Sequence, residues 1–137
     1  MSKQTRYNKM WMDVAEVFAQ QSHATRRKVG CVIIAGDRII SQGWNGTPAG
    51  FDNCCENEFG ETLPYVIHAE SNALDKITRD GSVGARGATL YVTLAPCILC
   101  AVRIANCGIA AVYYRDDYRI RDGLDHLSLM NIPTTQI

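Results

Sequence analysis

His68 and Glu70 stand two positions apart, and Pro96-Cys97-Ile98-Leu99-Cys100 follows further along the chain. An imidazole and two thiolates suit a borderline-soft cation such as Zn²⁺. The pattern H-x-E followed by P-C-x-x-C supplies three such ligands and leaves one carboxylate over. Three protein ligands leave a fourth tetrahedral position for water, which separates a catalytic zinc from a structural one. Zinc lowers the pKa of a bound water to about 7, so a nucleophile for an amidine carbon exists at neutral pH. Glu70 is spaced to take the water proton and return it to a ring nitrogen and a leaving amine. The two-residue spacer lets Cys97 and Cys100 reach one metal from the first turn of a helix. The dipole and free N–H groups of that helix start favour thiolates.

Two plainer readings account for less. A C-x-x-C pair alone is often structural zinc or a redox pair, but no second C-x-x-C completes a four-cysteine site, and Cys54 and Cys55 are adjacent. Adjacent cysteines do not readily chelate one ion together. A redox pair needs neither Pro96 nor the upstream His68 and Glu70. A structural site would be closed by a fourth ligand, and Glu70 would be idle.

The elements that must position these residues follow from periodicity. Residues 5–20 read as an amphipathic helix, with Tyr7, Met10, Trp11, Val14, Val17 and Phe18 near helical spacing. Val29–Ala35 is an apolar, β-branched run, and Gly36-Asp37 turns it into Arg38–Trp44 as a hairpin. Gly43 to Gly50 reads as a loop, and residues 51–63 are polar and ambiguous. A helix is expected from near His68 to about Thr78, a buried strand ending at Thr93, and a second helix over Cys97–Asn106 stopped by Gly108. Ile109–Tyr114 is the next strand, Gly123–Met130 a last helix, and Pro133–Gln136 an extended tail. The order predicts an α/β sheet covered by helices on both faces. The ligand segments then fall at helix starts beside the carboxyl ends of strands, where ligands bind in open α/β sheets.

At 137 residues the chain is expected to form one domain, 1–137. Fourteen basic and fourteen acidic residues give zero formal charge, which argues against nucleic acid or an anionic membrane as partner. The polar start Met1-Ser2-Lys3-Gln4-Thr5-Arg6 has no apolar stretch of a secretory leader, and no apolar run approaches the roughly 20 residues of a membrane span. A reducing cytoplasm is therefore expected, where cysteines bind metals or pack. Cys31 reads as core and Cys107 as structural.

The stretches Tyr65–Ala73 and Tyr91–Ala101 resemble the cytidine deaminase superfamily. The loop Gly43-Trp44-Asn45-Gly46-Thr47-Pro48-Ala49-Gly50, followed by Asn53-Cys54-Cys55, narrows the resemblance to the deoxycytidylate (dCMP) deaminases, including phage-type members. The resemblance runs from the first helix to the strand at Ile109–Tyr114. It implies a three-layer α/β/α fold with a central five-stranded mixed sheet. It implies hydrolytic conversion of dCMP to dUMP for thymidylate synthesis, in the host cytoplasm if the chain is phage-encoded. Glu70 would be the catalytic residue, with His68, Cys97 and Cys100 as metal ligands. The Ala69 backbone would meet the base carbonyl, the Ala95 carbonyl the exocyclic amine, and Asn45 the sugar hydroxyl. Tyr118 would lie near the substrate.

The substrate monophosphate needs donors, and the segment Ser22-His23-Ala24-Thr25-Arg26-Arg27-Lys28 supplies several, Ser22, Arg26 and Arg27 among them. The resemblance further implies a homohexamer activated by dCTP and inhibited by dTTP, with Mg²⁺ accompanying the triphosphate. The regulatory nucleotide would sit near Gly43, Trp44, Asn45 and Gly46. Trp44 stands where a tyrosine is more usual in the family. The cysteine pair that holds an additional structural zinc in some phage relatives has no counterpart at Ser22-His23-Ala24-Thr25, and the long insertion before His68 is missing. One zinc ion per chain is therefore expected. The competing readings are a tRNA adenosine deaminase, a free-nucleoside cytidine deaminase and a nonenzymatic zinc module. The neutral net charge weighs against a tRNA substrate, the Asn45 loop resembles the nucleotide-monophosphate branch rather than the other deaminases, and Glu70 would be idle in a nonenzymatic module.

Overall fold

The structure is a computed structural model that describes residues 1–81 and 83–137. The elements are α1 (Lys3–Ala19), β1 (Gly30–Ala35), β2 (Arg38–Trp44), α2 (Ala69–Arg79), β3 (Thr89–Leu94), α3 (Ile98–Asn106), β4 (Ala111–Asp116), α4 (Asp122–Leu129) and β5 (Thr134–Gln136). The strands lie in the order β2-β1-β3-β4-β5. β1 is antiparallel to both neighbours, whereas β3, β4 and β5 run parallel. The mixed five-stranded sheet of the expected α/β/α architecture is present.

The hairpin forms where the sequence turns. Gly36 (φ 57°) and Asp37 (φ 59°) both adopt left-handed backbone, the geometry whose twist matches two antiparallel strands. Alternation along the strands then divides the core. Val32, Ile34 and Tyr91 face Met12 and Ala15 of α1, while Cys31, Ile33, Leu90, Val92 and Val112 face α2, α3 and α4. Tyr91 stacks on Tyr113 with ring centroids 4.9 Å apart, and its hydroxyl donates to Asn8 Oδ1 at 2.5 Å.

The buried stripe of α1 differs from the expected one. Met12, Ala15 and Ala19 are buried, with Trp11, Val14 and Phe18 packed alongside, while Met10 and Val17 point to solvent. The reason is closeness. A Cβ placed on Gly30 of β1 would lie 1.9 Å from the Ala15 carbonyl oxygen, so α1 rests on β1 through its small residues. Large apolar residues at helical spacing could not show this. The fourth strand also shifts. Ile109 and Ala110 bond back to Ile104 and Ala88, and β4 extends through Asp116, which pairs with Leu94. The tail at 133–136 becomes β5, parallel to β4.

One end of the sheet gathers the segments of interest. The carboxyl ends of β2, β3 and β4 and the amino end of β1 meet there, because Gly30 pairs with Trp44 and Leu94 with Asp116. Glycines allow the close joints. A Cβ on Gly43 would lie 2.4 Å from the Ala69 oxygen, and one on Gly123 would lie 2.1 Å from the Pro96 oxygen. Thus β2 presses on the first turn of α2, and α4 presses on the peptide leading into α3. Among the described residues no helix is long and apolar enough to cross a membrane.

Candidate active site

His68 and Cys97 are the N-cap residues of α2 and α3, with extended backbone (ψ 156° and 170°). Neither side chain caps its own helix, so the imidazole and the thiol remain free to act as ligands. Cys100 lies one turn into α3 and is buried. His68 Nδ1 is 3.4 Å from Cys97 Sγ and 3.4 Å from Cys100 Sγ. Tetrahedral bonds of about 2.1 Å to nitrogen and 2.3 Å to sulfur set such atoms about 3.6 Å apart, so the three groups fit a zinc ion. Their ligand atoms all lie within 4.8 Å of one another, and Glu70 is not in the group.

The electrostatics agree with a cation-binding role. A hydrogen bond with Cys100, helped by His68, pulls the Cys97 thiol down to about 4, and the same hydrogen bond pushes Cys100 up. Cys97 raises the His68 pKa through its hydrogen bond. Cys97 also accepts from the Cys100 backbone N–H, as a thiolate at a helix start should.

Glu70 occupies the first turn of α2 and is only 4% exposed. Burial pushes its carboxyl up to about 7 against a lowering by its own backbone N–H and by His68. A carboxyl that both holds and releases a proton near neutral pH is suited to acid–base work. Cys31 of β1 is fully buried beneath this turn, and burial there raises its thiol, so it is the core residue the sequence suggested.

His68, Ala69, Glu70 and Cys97 open onto a cavity of about 580 Å³, within the range of small-molecule sites. Arg26, Arg27, Asn45, Ala95 and Tyr118 also line it. Asn45 is already partly engaged. Its Oδ1 accepts from Val29 N at 2.9 Å and its Nδ2 donates to the Arg27 carbonyl at 2.8 Å. One amide hydrogen is left over. Arg27 is paired with Asp116 at 2.7 Å. Ala95 is fixed by its N–H, which donates to the Asp116 carbonyl at 2.9 Å.

Ser22 is placed differently from the expectation. It is buried and does not line the cavity; its hydroxyl donates to the Asn45 carbonyl at 2.7 Å and accepts from Ala24 N at 3.1 Å. It braces the loop that carries the arginines. Arg119, Glu56 and Asp117 line the cavity and were not singled out in the sequence. Arg119 adjoins Tyr118 in the Arg115–Arg121 run, and that charge pattern was the available signal. Glu56 accepts from Thr25 N, Thr25 Oγ1 and Arg26 N, which pins the arginine loop from the opposite wall. No sequence pattern announced this pairing.

The expected regulatory loop borders a second cavity of about 180 Å³, lined by Trp44, Asn45, Gly46, His23, Asn53 and Cys55 among others. Asn45 and Cys55 belong to both cavities. Gly43 does not line it; it is buried in β2, and its lack of a side chain serves the contact with α2. The Trp44 ring is engaged by Phe18, stacked at 6.1 Å, and by Lys76, whose Nζ is 4.9 Å from the ring centroid.

His68, Cys97 and Cys100 thus converge beside a buried carboxyl at the strand ends of an α/β/α sheet, the residue types and order of the H-x-E and P-C-x-x-C zinc-deaminase pattern. The model of the cytidine and deoxycytidylate deaminase zinc-binding region matches residues 5–116, and the chain belongs to that family. The crystal structure of dCMP deaminase from cyanophage S-TIM5, in complex with dCMP and dUMP, superposes with a TM-score of 0.93 at 41% identity, covering 100% of this chain and 99% of that one. Deoxycytidylate deaminase of Mycobacterium phage D29 is 35% identical over 122 residues, 79% of this chain and 93% of the phage protein. Deoxycytidylate deaminase of Schizosaccharomyces pombe is 36% identical over 125 residues, covering 83% of this chain. The chain spans only 38% of that yeast relative and 39% of the Saccharomyces cerevisiae one.

Proposed function

We propose that the chain is a zinc-dependent hydrolase that converts dCMP to dUMP and ammonia. The observation that carries this reading is the convergence of His68, Cys97 and Cys100 beside the buried carboxyl of Glu70, facing one cavity. The likeness to a phage enzyme crystallised with dCMP and dUMP supports the substrate. Zinc in this shell supplies a water activated for attack at neutral pH. Glu70 takes the first proton of the attacking water and delivers it to the pyrimidine ring nitrogen, then takes the second from the hydroxyl now on the attacked carbon and passes it to the departing amine as the C–N bond breaks. The Ala69 N–H, at the first position of α2, has no acceptor within the helix and is offered to the base carbonyl. The Ala95 carbonyl receives the exocyclic amine, the spare Asn45 amide hydrogen a sugar hydroxyl, and Tyr118 flanks the pyrimidine or sugar.

Arg26, Arg27 and Arg119 are assigned to the phosphate. Arg27 shares its charge with Asp116, whereas no carboxylate pairs with Arg26 or Arg119 among the ion pairs of the described residues. Arg119→Ala is expected to lower kcat/KM on dCMP by about tenfold to a hundredfold, the worth of one charge-assisted hydrogen bond, and to leave turnover of deoxycytidine nearly unchanged. Steady-state kinetics on both substrates check this. An equal loss on both would remove Arg119 from the phosphate site.

Regulation belongs to the same reading: dCTP with Mg²⁺ activates, dTTP inhibits, and the chain works as a homohexamer. The second cavity along Trp44, Asn45 and Gly46 supports a place for the effector, and its sharing of Asn45 and Cys55 with the substrate cavity supports coupling. At about 180 Å³ it is too small for a whole nucleotide, so the site requires completion at a subunit contact. Exposed Ile98, Leu99 and Val102 on α3, with Leu129 at the end of α4 and Met130 just after it, support self-association. Ammonia release from dCMP, cytidine and tRNA, measured side by side with and without the two triphosphates, tests the whole reading. Turnover confined to dCMP supports it; preference for tRNA or cytidine contradicts the substrate, and triphosphates without effect contradict the regulation.

A further inference from the structure

The outer hydrogen bond to the Cys100 ligand is made by a side chain that neither the acid–base chemistry nor the substrate contacts use. Ser71 follows Glu70 in the first turn of α2, half-buried between α2 and α3. Its Oγ is 3.8 Å from Cys100 Sγ, within reach of a hydrogen bond to sulfur. This is the hydroxyl's one hydrogen bond among the described residues. The two thiolates of a zinc centre differ in their support here. Cys97 receives the backbone N–H of Cys100 at the start of α3. Cys100, buried to 2% exposure one turn further in, lies next to the buried carboxyl of Glu70, a like charge whenever both are ionised. A buried thiolate beside a carboxylate needs a donor, since each added negative charge in a low-dielectric site weakens the ionised form of its neighbour. Once bound to a cation, Cys100 has no proton to give, so the hydroxyl is the donor and the sulfur the acceptor.

We infer that Ser71 is a positioning residue that donates a hydrogen bond to the Cys100 thiolate, fixing its direction and moderating how much electron density it gives the metal. The inference rests on the reading of His68, Cys97 and Cys100 as a cation site. A thiolate relieved of a hydrogen bond donates more strongly and costs more to form, and loss of such an outer partner commonly costs ten- to a hundredfold in metal affinity.

The test uses cobalt in place of zinc, because the thiolate-to-cobalt charge-transfer band reports on sulfur directly and needs no turnover. The wild-type protein, Ser71→Ala and Ser71→Thr are loaded with Co²⁺, and zinc affinity is measured by chelator competition. Ser71→Ala is expected to shift the band to lower energy and to weaken zinc binding by about tenfold; Ser71→Thr, which keeps the hydroxyl, is expected to restore both. A Ser71→Ala spectrum and affinity equal to wild type would overturn the inference, as would a Thr variant that behaves like Ala. Absence of a charge-transfer band in the wild type would instead refute the cation site itself, so the two failures are distinct.

Discussion

Glu70→Gln is expected to lower kcat on dCMP by at least about 10³-fold while the protein keeps its zinc. General acid–base groups are commonly worth 10²–10⁴-fold, and here one carboxyl handles every proton transfer that the water, the ring nitrogen and the amine require. Glutamine preserves the size of the side chain and leaves His68, Cys97 and Cys100 in place, so metal retention separates lost proton transfer from a lost site. Zinc content by atomic absorption, beside single-turnover rates, checks both halves. The same variant has a second signature in the metal-free protein. The carboxyl titrates near 4.5 when unfolded, but burial holds it up at about 7 in the fold. Below the lower value it is protonated in both states. Between the two only the unfolded chain ionises, so stability falls as pH rises across that window and levels off above it. Glutamine removes this fall. At pH 8 metal-free Glu70→Gln should therefore be more stable than metal-free wild type, by about 3 kcal/mol as an order of magnitude. Denaturant titrations at pH 5 and pH 8 measure the difference, and a Glu70→Gln advantage that does not grow with pH would show that the burial is not felt.

Gly123→Ala is the second large effect, and it acts on the metal centre from a helix that carries no ligand. The new Cβ would lie 2.1 Å from the Pro96 oxygen and 2.8 Å from the Cys97 carbonyl carbon. Both are backbone atoms, so no flexible side chain can swing aside. Either α4 lifts from the sheet, where Leu124 and Leu127 are buried, or the 96–97 peptide moves and takes the Cys97 ligand with it. Overpacking of this kind costs about 1–3 kcal/mol, occasionally more. The expected result is a melting temperature lower by several degrees, together with weaker zinc binding. Thermal melts of the zinc-loaded protein and chelator competition measure the two. An unchanged melting temperature and affinity would mean that α4 does not bear on the ligand peptide as closely as the fold places it.

The sequence carried a large share of this structure for identifiable reasons. Metal chemistry demands particular residue types at fixed spacing, so His68, Glu70, Cys97 and Cys100 were legible without any fold. The hairpin was legible because Gly36-Asp37 is one of the few pairs that tolerates two left-handed residues. The helix starts were legible because His68 and Cys97 mark them, each standing at the position just before its helix. What periodicity could not show was closeness. The contact face of α1 runs through Ala15 and Ala19 because Gly30 and α1 nearly touch, and small residues leave no hydrophobic signal. Long-range convergence was equally hidden. Glu56 fastens the loop at Thr25 and Arg26 across some thirty positions, and Arg119 reaches the cavity only because β4 ends beside β3. Ser22 looked like a phosphate donor by type, yet both of its hydrogen bonds are spent on Asn45 and Ala24. Residue type stated what each group could do; the sheet decided which groups face the cavity.

The proposed activity requires a metal held by three side chains next to one proton-carrying acid, acting on dCMP. The most direct measurement is ammonia release from dCMP by metal-free protein as zinc is added stepwise. No release is expected without zinc, followed by a linear rise and a plateau at one zinc per chain. Release by the metal-free protein, or a zinc-loaded protein that leaves dCMP intact, would contradict it.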